Sequence, residues 1–598
     1  MQENCISHKK KDLNNLNQPQ AGTSKSDRSH EDGGAPIGIG ATDTEGRLLA
    51  SIFGAGPVEP LFNNCLDVPN GGVLLGLPGL LSMGLLRHTK NYFHLPNGYY
   101  GIESIFLLLG FMALARLKTI ESLRYCSPGE WGKLLGLDRV PEAKTLRQKI
   151  QLLTRDGQSC QWGGELSRDW MEMFPESTGM LYVDGHVRVY NGSQTELPRH
   201  YVARQRLCLR ATTDYWVNAM DAQPFFMVNK AVDPGLLSVL EDEIVPRLER
   251  EVPCQASLFD SGEMEFKPRF TLVFDREGYS PDFMIRMWEK RIACLTYHKY
   301  PSGDWPESEF TKENVPLVSG HCVEMELAER GTLLSDKLWV REIRKLTKSG
   351  HQTAIVTTNH MMGRAATAAA MFARWSQENF FKYMREHYNL DRLIDYSTDD
   401  IPETTRVVSP LYREADGEVK KLAAHLGRKR CECNEVILCD DIEPEKVVEY
   451  ETKKLALQEE VENMEKTLEE LKACRKATPH HVMLSDLPKE DQFRKLGTKS
   501  KYFIDTIKLI AYRAETAMVN IARQTMSHQN EVRRLLRSLY ATEADILPDY
   551  GKKKLTVRLH NPANRCSVVT VKNLCRELNA TNTKYPGTDL RLVYEMVS

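Results

Sequence analysis

The chain has 598 residues, 41 % hydrophobic and 27 % charged, long enough for three or four units at ~150 residues per domain. Its 79 Lys and Arg against 81 Asp and Glu give a formal charge of −2, which excludes the uniformly basic body of a small DNA-binding domain and leaves any nucleic-acid surface to local patterning. The longest apolar runs, residues 73–86 and 105–115, fall short of the ~20 residues that span a bilayer. Residues 1–18 carry Lys9, Lys10 and Lys11 but no apolar core behind them, so neither a membrane span nor a secretory signal is expected, and the location is read as cytoplasmic.

Residues 1–40 are rich in Asn, Gln, Ser, Gly and Asp with almost no aromatic side chain, a composition that predicts a disordered tail. From 41 to 178 the pattern is helical, with Ile102, Ile105, Phe106, Leu109 and Met112 at three- and four-residue spacing. A short capped helix opens at Ser127 and Pro128, and a second opens near Pro141. Two short helices joined by a tight turn suggest a helix-turn-helix whose second helix offers Lys144, Arg147 and Lys149 to phosphates or base edges. An ordinary helical hairpin with a solvated basic face fits that segment equally well.

From 179 the period changes. Three β-rich stretches (180–190, 206–220, 224–232) precede a helix (236–250), a strand (269–274), a helix (281–290) and a strand (292–297). The order βββαβαβ predicts an α/β fold with a mixed sheet, occupying 179–400. A polar, β-leaning segment at about 300–349 reads as an inserted sheet, and an alanine-rich helix follows over 363–388. Residues 401–545 are mainly helical: Val447, Tyr450, Lys454, Leu457, Val461, Met464, Leu468 and Leu471 form a coiled-coil seam flawed by one lysine. That seam would pair with a second amphipathic stretch, 502–539, or with another copy of the chain. Residues 546–598 look like a small mixed cap. The 14 cysteines show no disulfide framework, and Cys431, Cys433 and Cys439, with His425 nearby, lack the paired knuckles of a structural zinc site.

Acidic residues are common enough that position within elements, not presence, carries the signal. Asp184 interrupts the first strand, followed by Gly185, where a close approach is easiest. Asp275 ends the fourth strand, and sites in α/β sheets are assembled at the carboxyl ends of strands. Asp221 rivals Asp184 but stands at a strand-to-strand turn, where aspartate is commonly structural. On the 363–388 helix, Arg374, Glu378 and Arg385 would share one face, setting an acid between two cations. Three convergent carboxylates repel one another unless a cation neutralises them. Oxygen ligands favour Mg²⁺ or Mn²⁺, and two such ions suit phosphoryl transfer on nucleic acid. His186 and Arg276 adjoin the acids and could tune them or bind phosphate, although an ordinary satisfied polar role fits each.

These residues resemble the DDE transposases of bacterial insertion sequences, whose core is RNase H-like. Asp184, Asp275 and Glu378 stand 91 and 103 residues apart. The long second gap resembles the subgroup with a β-rich insertion before the glutamate helix. That subgroup's signature is Y-x₂-R-x₃-E-x₆-K; this chain has Met371-x₂-Arg374-x₃-Glu378-x₆-Arg385, with methionine for the tyrosine and arginine for the lysine. Tyr383 or His387 could substitute for the missing tyrosine.

The resemblance implies that Asp184, Asp275 and Glu378 hold two Mg²⁺ or Mn²⁺ ions, that Arg374, Lys382 and Arg385 grip DNA, and that a homodimer acts on paired inverted-repeat ends and on target DNA near the nucleoid. Two other readings share the acids: a catalytically inactive, transposase-derived scaffold, and an RNase H-like nuclease without strand joining.

Overall fold

The computed structural model describes residues 43–597 except 193–195, 203–204, 254–266, 318–321, 373–374, 393–397, 436–443, 490–491, 527 and 563–564; side chains at 375–377, 434–435, 444–450, 529 and 565 are likewise outside the description. The tail expected over 1–40 lies outside it too. The described residues form a mixed α/β molecule of two compact units. One comprises the described parts of Met1–Leu86, Phe93–Leu153 and Ile510–Ser598, the other those of Arg87–Tyr92 and Thr154–Leu509.

The first unit joins both ends of the chain. Cys65–Val68 pairs antiparallel with Ala544–Asp549, which pairs antiparallel with Lys554–Leu559, and Arg591–Met596 completes the sheet parallel to that strand. A parallel neighbour needs a crossover, supplied by the helix Arg565–Ala580. The helix Ile102–Leu114 buries nine of its 13 residues, which is the behaviour of a helix apolar all round. Among the described residues no helix is long and apolar enough to cross a membrane.

The second unit is organised by one sheet. Its strands are β1 (Met180–Val189), β2 (Arg199–Val202), β3 (Leu207–Ala219), β4 (Pro224–Lys230), β5 (Phe270–Val273), β6 (Ile292–Tyr297), β7 (Thr311–Pro316), β8 (Cys322–Leu334), β9 (Leu338–Leu346) and β10 (Gln352–Thr357). The order is β2-β3-β1-β5-β6-β10-β9-β8-β7, with β4 also on β3. Strand β3 is antiparallel to both its neighbours β1 and β4, whereas β5 and β6 run parallel to β1. β5 is buried along its whole length, which is why it reads as an unbroken apolar run. The segment expected as an inserted sheet supplies β7, β8 and β9, which continue this sheet through β10.

Helix α1 (Pro281–Glu289) crosses from β5 to β6, its first turn capped by the Ser280 hydroxyl accepting from Phe283 N at 3.3 Å. On the opposite face of the sheet, α2 (Arg364–Phe372) lays Ala368, Ala369, Ala370 and Met371 over Tyr182, Val273, Leu295 and Ile355. Its alanines allow the close approach. The helix expected over 363–388 is described as α2 and α3 (Trp375–Tyr388), with 373–374 between them outside the described residues.

The partner of the apolar seam differs from the expected one. Helix α5 (Pro444–Ala477) packs antiparallel on α4 (Pro410–Glu435): Val419, Leu422 and Leu426 meet Val461, Met464, Leu468 and Leu471. Arg430–Glu465 at 2.6 Å and Arg475–Asp416 at 2.8 Å flank that stripe. The two helices adjoin in sequence, so their pairing joins segments only a few residues apart along the chain. The 502–539 stretch instead divides into α6 (Lys499–Ala522) and Gln529–Ala541. In the second unit, α6 docks on the sheet: Lys501 reaches Asp214 of β3 at 2.9 Å and Asp505 at 2.8 Å, and the Tyr502 hydroxyl accepts from Asn229 N at 3.0 Å.

Candidate active site

β1 and β5 bring two acids level. Their parallel ladder pairs Tyr182 with Val273, and Phe274 N still donates to Leu295 O at 3.2 Å, so the chain past Val273 keeps its extended course beside β6. Asp184 and Asp275 each stand two residues beyond that last pair, Asp184 within β1 and Asp275 just past the end of β5. By alternation both side chains project from the face that α2 covers. Asp275 also caps the turn Arg276–Gly278: its carboxylate accepts from Glu277 N at 2.9 Å while its carbonyl accepts from the Thr296 hydroxyl at 3.0 Å.

Helices α2 and α3 meet β1 on either side of Asp184. Two residues before it, the Tyr182 hydroxyl donates to Ala370 O at 2.6 Å. Two residues after it, His186 stacks on Phe381 of α3, with ring centroids 5.0 Å apart, and its Nε2 lies 2.5 Å from an Asp391 oxygen. Trp216, directly across from Asp184 on β3, sets its indole against Phe380 and Phe381 at 5.5 and 6.2 Å. Glu378 occupies the first turn of α3, three residues before Phe381, and is exposed. Lys382, four residues on, is exposed, and Arg385 is half-buried with its Nε donating to Phe381 O at 3.3 Å. Arg374 lies outside the described residues. Met371 is fully buried in the apolar layer beneath α2, so the position that holds tyrosine in the signature serves here as core.

Further groups border the acid pair. Glu277 has its carboxyl pushed above the ordinary glutamate range, first by burial and then by the charges of Asp275, Asp233 and Asp184, against a hydrogen bond from Leu236 N. Asp233 is a buffer of the opposite kind: burial pushes it up, but hydrogen bonds from His200, the Tyr215 hydroxyl, Gly235 N and the Thr213 hydroxyl hold it down at about 2. The Tyr215 ring lies under Gly185, where an added Cβ would come within 3.2 Å of it. Glu277 could have been noticed in the sequence, because it follows Asp275 by two residues. Asp233 could not, since an aspartate ahead of Pro234 and Gly235 reads as a turn residue. Asp221 does sit in a turn, accepting from Gln223 N at 3.1 Å and Gln223 Nε2 at 2.9 Å.

The donor set at the end of β1 and β5 is oxygen only, and its charges raise a neighbouring carboxyl; both properties fit a hard divalent cation. The other basic candidates belong to the first unit. On the helix Ala143–Thr154, Lys144 and Arg147 are exposed while Leu146 and Ile150 face the core. Arg147 pairs with Glu121, and Lys149 is half-buried with its amine held below the usual lysine range by burial. Lys149 also points away from the other two, being five residues from Lys144.

A family model described as a transposase protein matches residues 38–598. The chain belongs to this transposase family. No curated protein matches it. The match takes in both compact units, so the transposase is defined by the end-joined first unit as well as by the sheet that bears the acids.

Proposed function

We propose that this transposase is a DDE enzyme with an RNase H-like core that binds element ends, breaks DNA strands and joins the freed 3′-hydroxyl to target DNA. The observation that carries the reading is the parallel pairing of β1 with β5, in register at Tyr182 and Val273, each two residues before an aspartate, in a sheet whose five central strands run β4-β3-β1-β5-β6. That order, with β3 running against the other four strands, supports the RNase H-like assignment. The docking of α3 beside Asp184 through His186 and Phe381 supports Glu378 as the third acid.

Asp184, Asp275 and Glu378 would hold two Mg²⁺ or Mn²⁺ ions, which when bound supply activation of a water or 3′-hydroxyl and stabilisation of the leaving oxygen. Lys382 and Arg385, one and two turns after Glu378, would position the phosphodiester by its charge. Arg374 is proposed for the same role from the signature alone, and Lys144, Arg147 and Lys149 for contacts to the element ends. Burial of Tyr182, Val273 and Leu295 under α2 fixes the strand that carries Asp184. A homodimer on paired ends follows from the need to process two ends together.

The reading is tested by incubating the purified protein, Mg²⁺ and end-containing duplex with a supercoiled target. The expected result is metal-dependent breaks at defined ends and target molecules covalently joined to them. Breaks without joined products would identify a nuclease, and specific end binding without breaks would identify an inactive scaffold.

A further inference from the structure

A cavity of about 530 Å³ opens in the second unit between the β2 region and the segment that enters α4. Its wall carries Arg199, Arg406 and Arg413 together with His481, over a floor that includes Asp233. Among the described residues, no acidic side chain pairs with Arg406 or Arg413, and Arg199 makes only a long contact from its Nη1 to Cys208 O at 3.5 Å. The acids of the cavity are otherwise engaged. Glu196 is paired with Arg210, and Asp233 is turned inward onto Tyr215 at 2.6 Å and Thr213 at 2.8 Å. The His481 ring is held below the usual histidine range by burial and by the neighbouring positive groups His480 and Arg406, as expected of a positive wall.

We infer that this cavity is a phosphate-binding pocket for a single DNA strand. Three guanidinium groups around one concavity match the geometry of phosphate oxygens, which accept paired N–H bonds from a planar fork. The volume suits one nucleotide unit and is far too small for a duplex. The remainder of the wall is largely apolar, so the charged groups are concentrated where a phosphate would rest. Asp233 ties the cavity to the central sheet, since Tyr215 and Thr213 of β3 both donate to it. The inference rests on the reading of the chain as a DNA-processing transposase.

The test uses the full-length protein and fluorescence anisotropy with a labelled single-stranded oligonucleotide, repeated over a salt series. Arg406→Ala/Arg413→Ala should bind about tenfold more weakly, with a slope of log K against log salt shallower by about 1 to 1.5, the share of two phosphate contacts on a single strand. Arg406→Lys/Arg413→Lys keeps the charges and should restore the slope while regaining only part of the affinity. It also serves if the alanine variant does not fold. Unchanged affinity and slope in both variants would overturn the inference and leave the proposed function standing. Inorganic phosphate or a deoxynucleoside monophosphate displacing the oligonucleotide at equal concentration would assign the pocket to a free anion and overturn the strand. A wild-type protein that binds no DNA at all would bring down this inference and the proposed function together.

Discussion

Asp233 is a residue whose environment, rather than its sequence position, sets its chemistry. Burial opposes its charge, yet four hydrogen bonds hold its carboxyl at about 2. A carboxyl held lower in the folded than in the unfolded state stabilises the fold above its unfolded value, and that stabilisation is lost as pH falls through the folded one. Asp233→Asn should therefore lower the unfolding free energy at neutral pH by about 2 kcal/mol, with the difference fading between about pH 4 and pH 2. Urea melts of both proteins across that range check it. At this scale the sequence was informative about placement set by strand position, as for Asp184 within β1 and Asp275 just past β5. It was uninformative where the role follows from a neighbour distant in sequence: Thr213, Tyr215 and His200 around Asp233, or Asp391 against His186.

Among the elements, strand periodicity and the apolar run of β5 were legible because a strand's burial is written in its own residues. Pairing was less so. The seam in α5 showed that a partner existed, but several amphipathic helices could have matched it, and proximity in sequence selected α4. Helix α3 is attached to β1 through His186, which stacks on Phe381 and meets Asp391. His186 is a positioning residue in this account. His186→Ala should reduce strand cleavage by one to two orders of magnitude while leaving DNA affinity within about twofold, and His186→Phe, which keeps the stack on Phe381, should recover part of the loss. Equal losses of binding and cleavage in both variants would mean that the contact only supports folding. The buried Asp214–Lys501–Asp505 group anchors α6 and makes a useful contrast: it is sealed from solvent, and removing one member leaves an uncompensated charge costing about 3–5 kcal/mol. Asp214→Ala should accordingly destabilise the protein by that order in urea melts.

For the whole molecule, the two compact units do not follow the order of the chain. Cys65–Val68 pairs with a strand almost five hundred residues later, at Ala544–Asp549. Nothing local in a four-residue strand announces such a partner, since strand periodicity states which face is buried and not by what. The family match over 38–598 runs through both units, which agrees with a molecule whose ends are tied into one body. The central claim is nevertheless concentrated in three carboxylates. Its most direct measurement is a denaturing gel of DNA flanking the protein's own gene, incubated with Mg²⁺ and with wild type, Asp275→Asn, Glu378→Gln or Glu277→Gln. The account predicts defined, metal-dependent breaks by wild type and Glu277→Gln, and none by Asp275→Asn or Glu378→Gln, although all four still bind the ends. Breaks that survive in Glu378→Gln and vanish in Glu277→Gln would contradict the assignment of the third acid, and breaks that survive in Asp275→Asn would contradict the account as a whole.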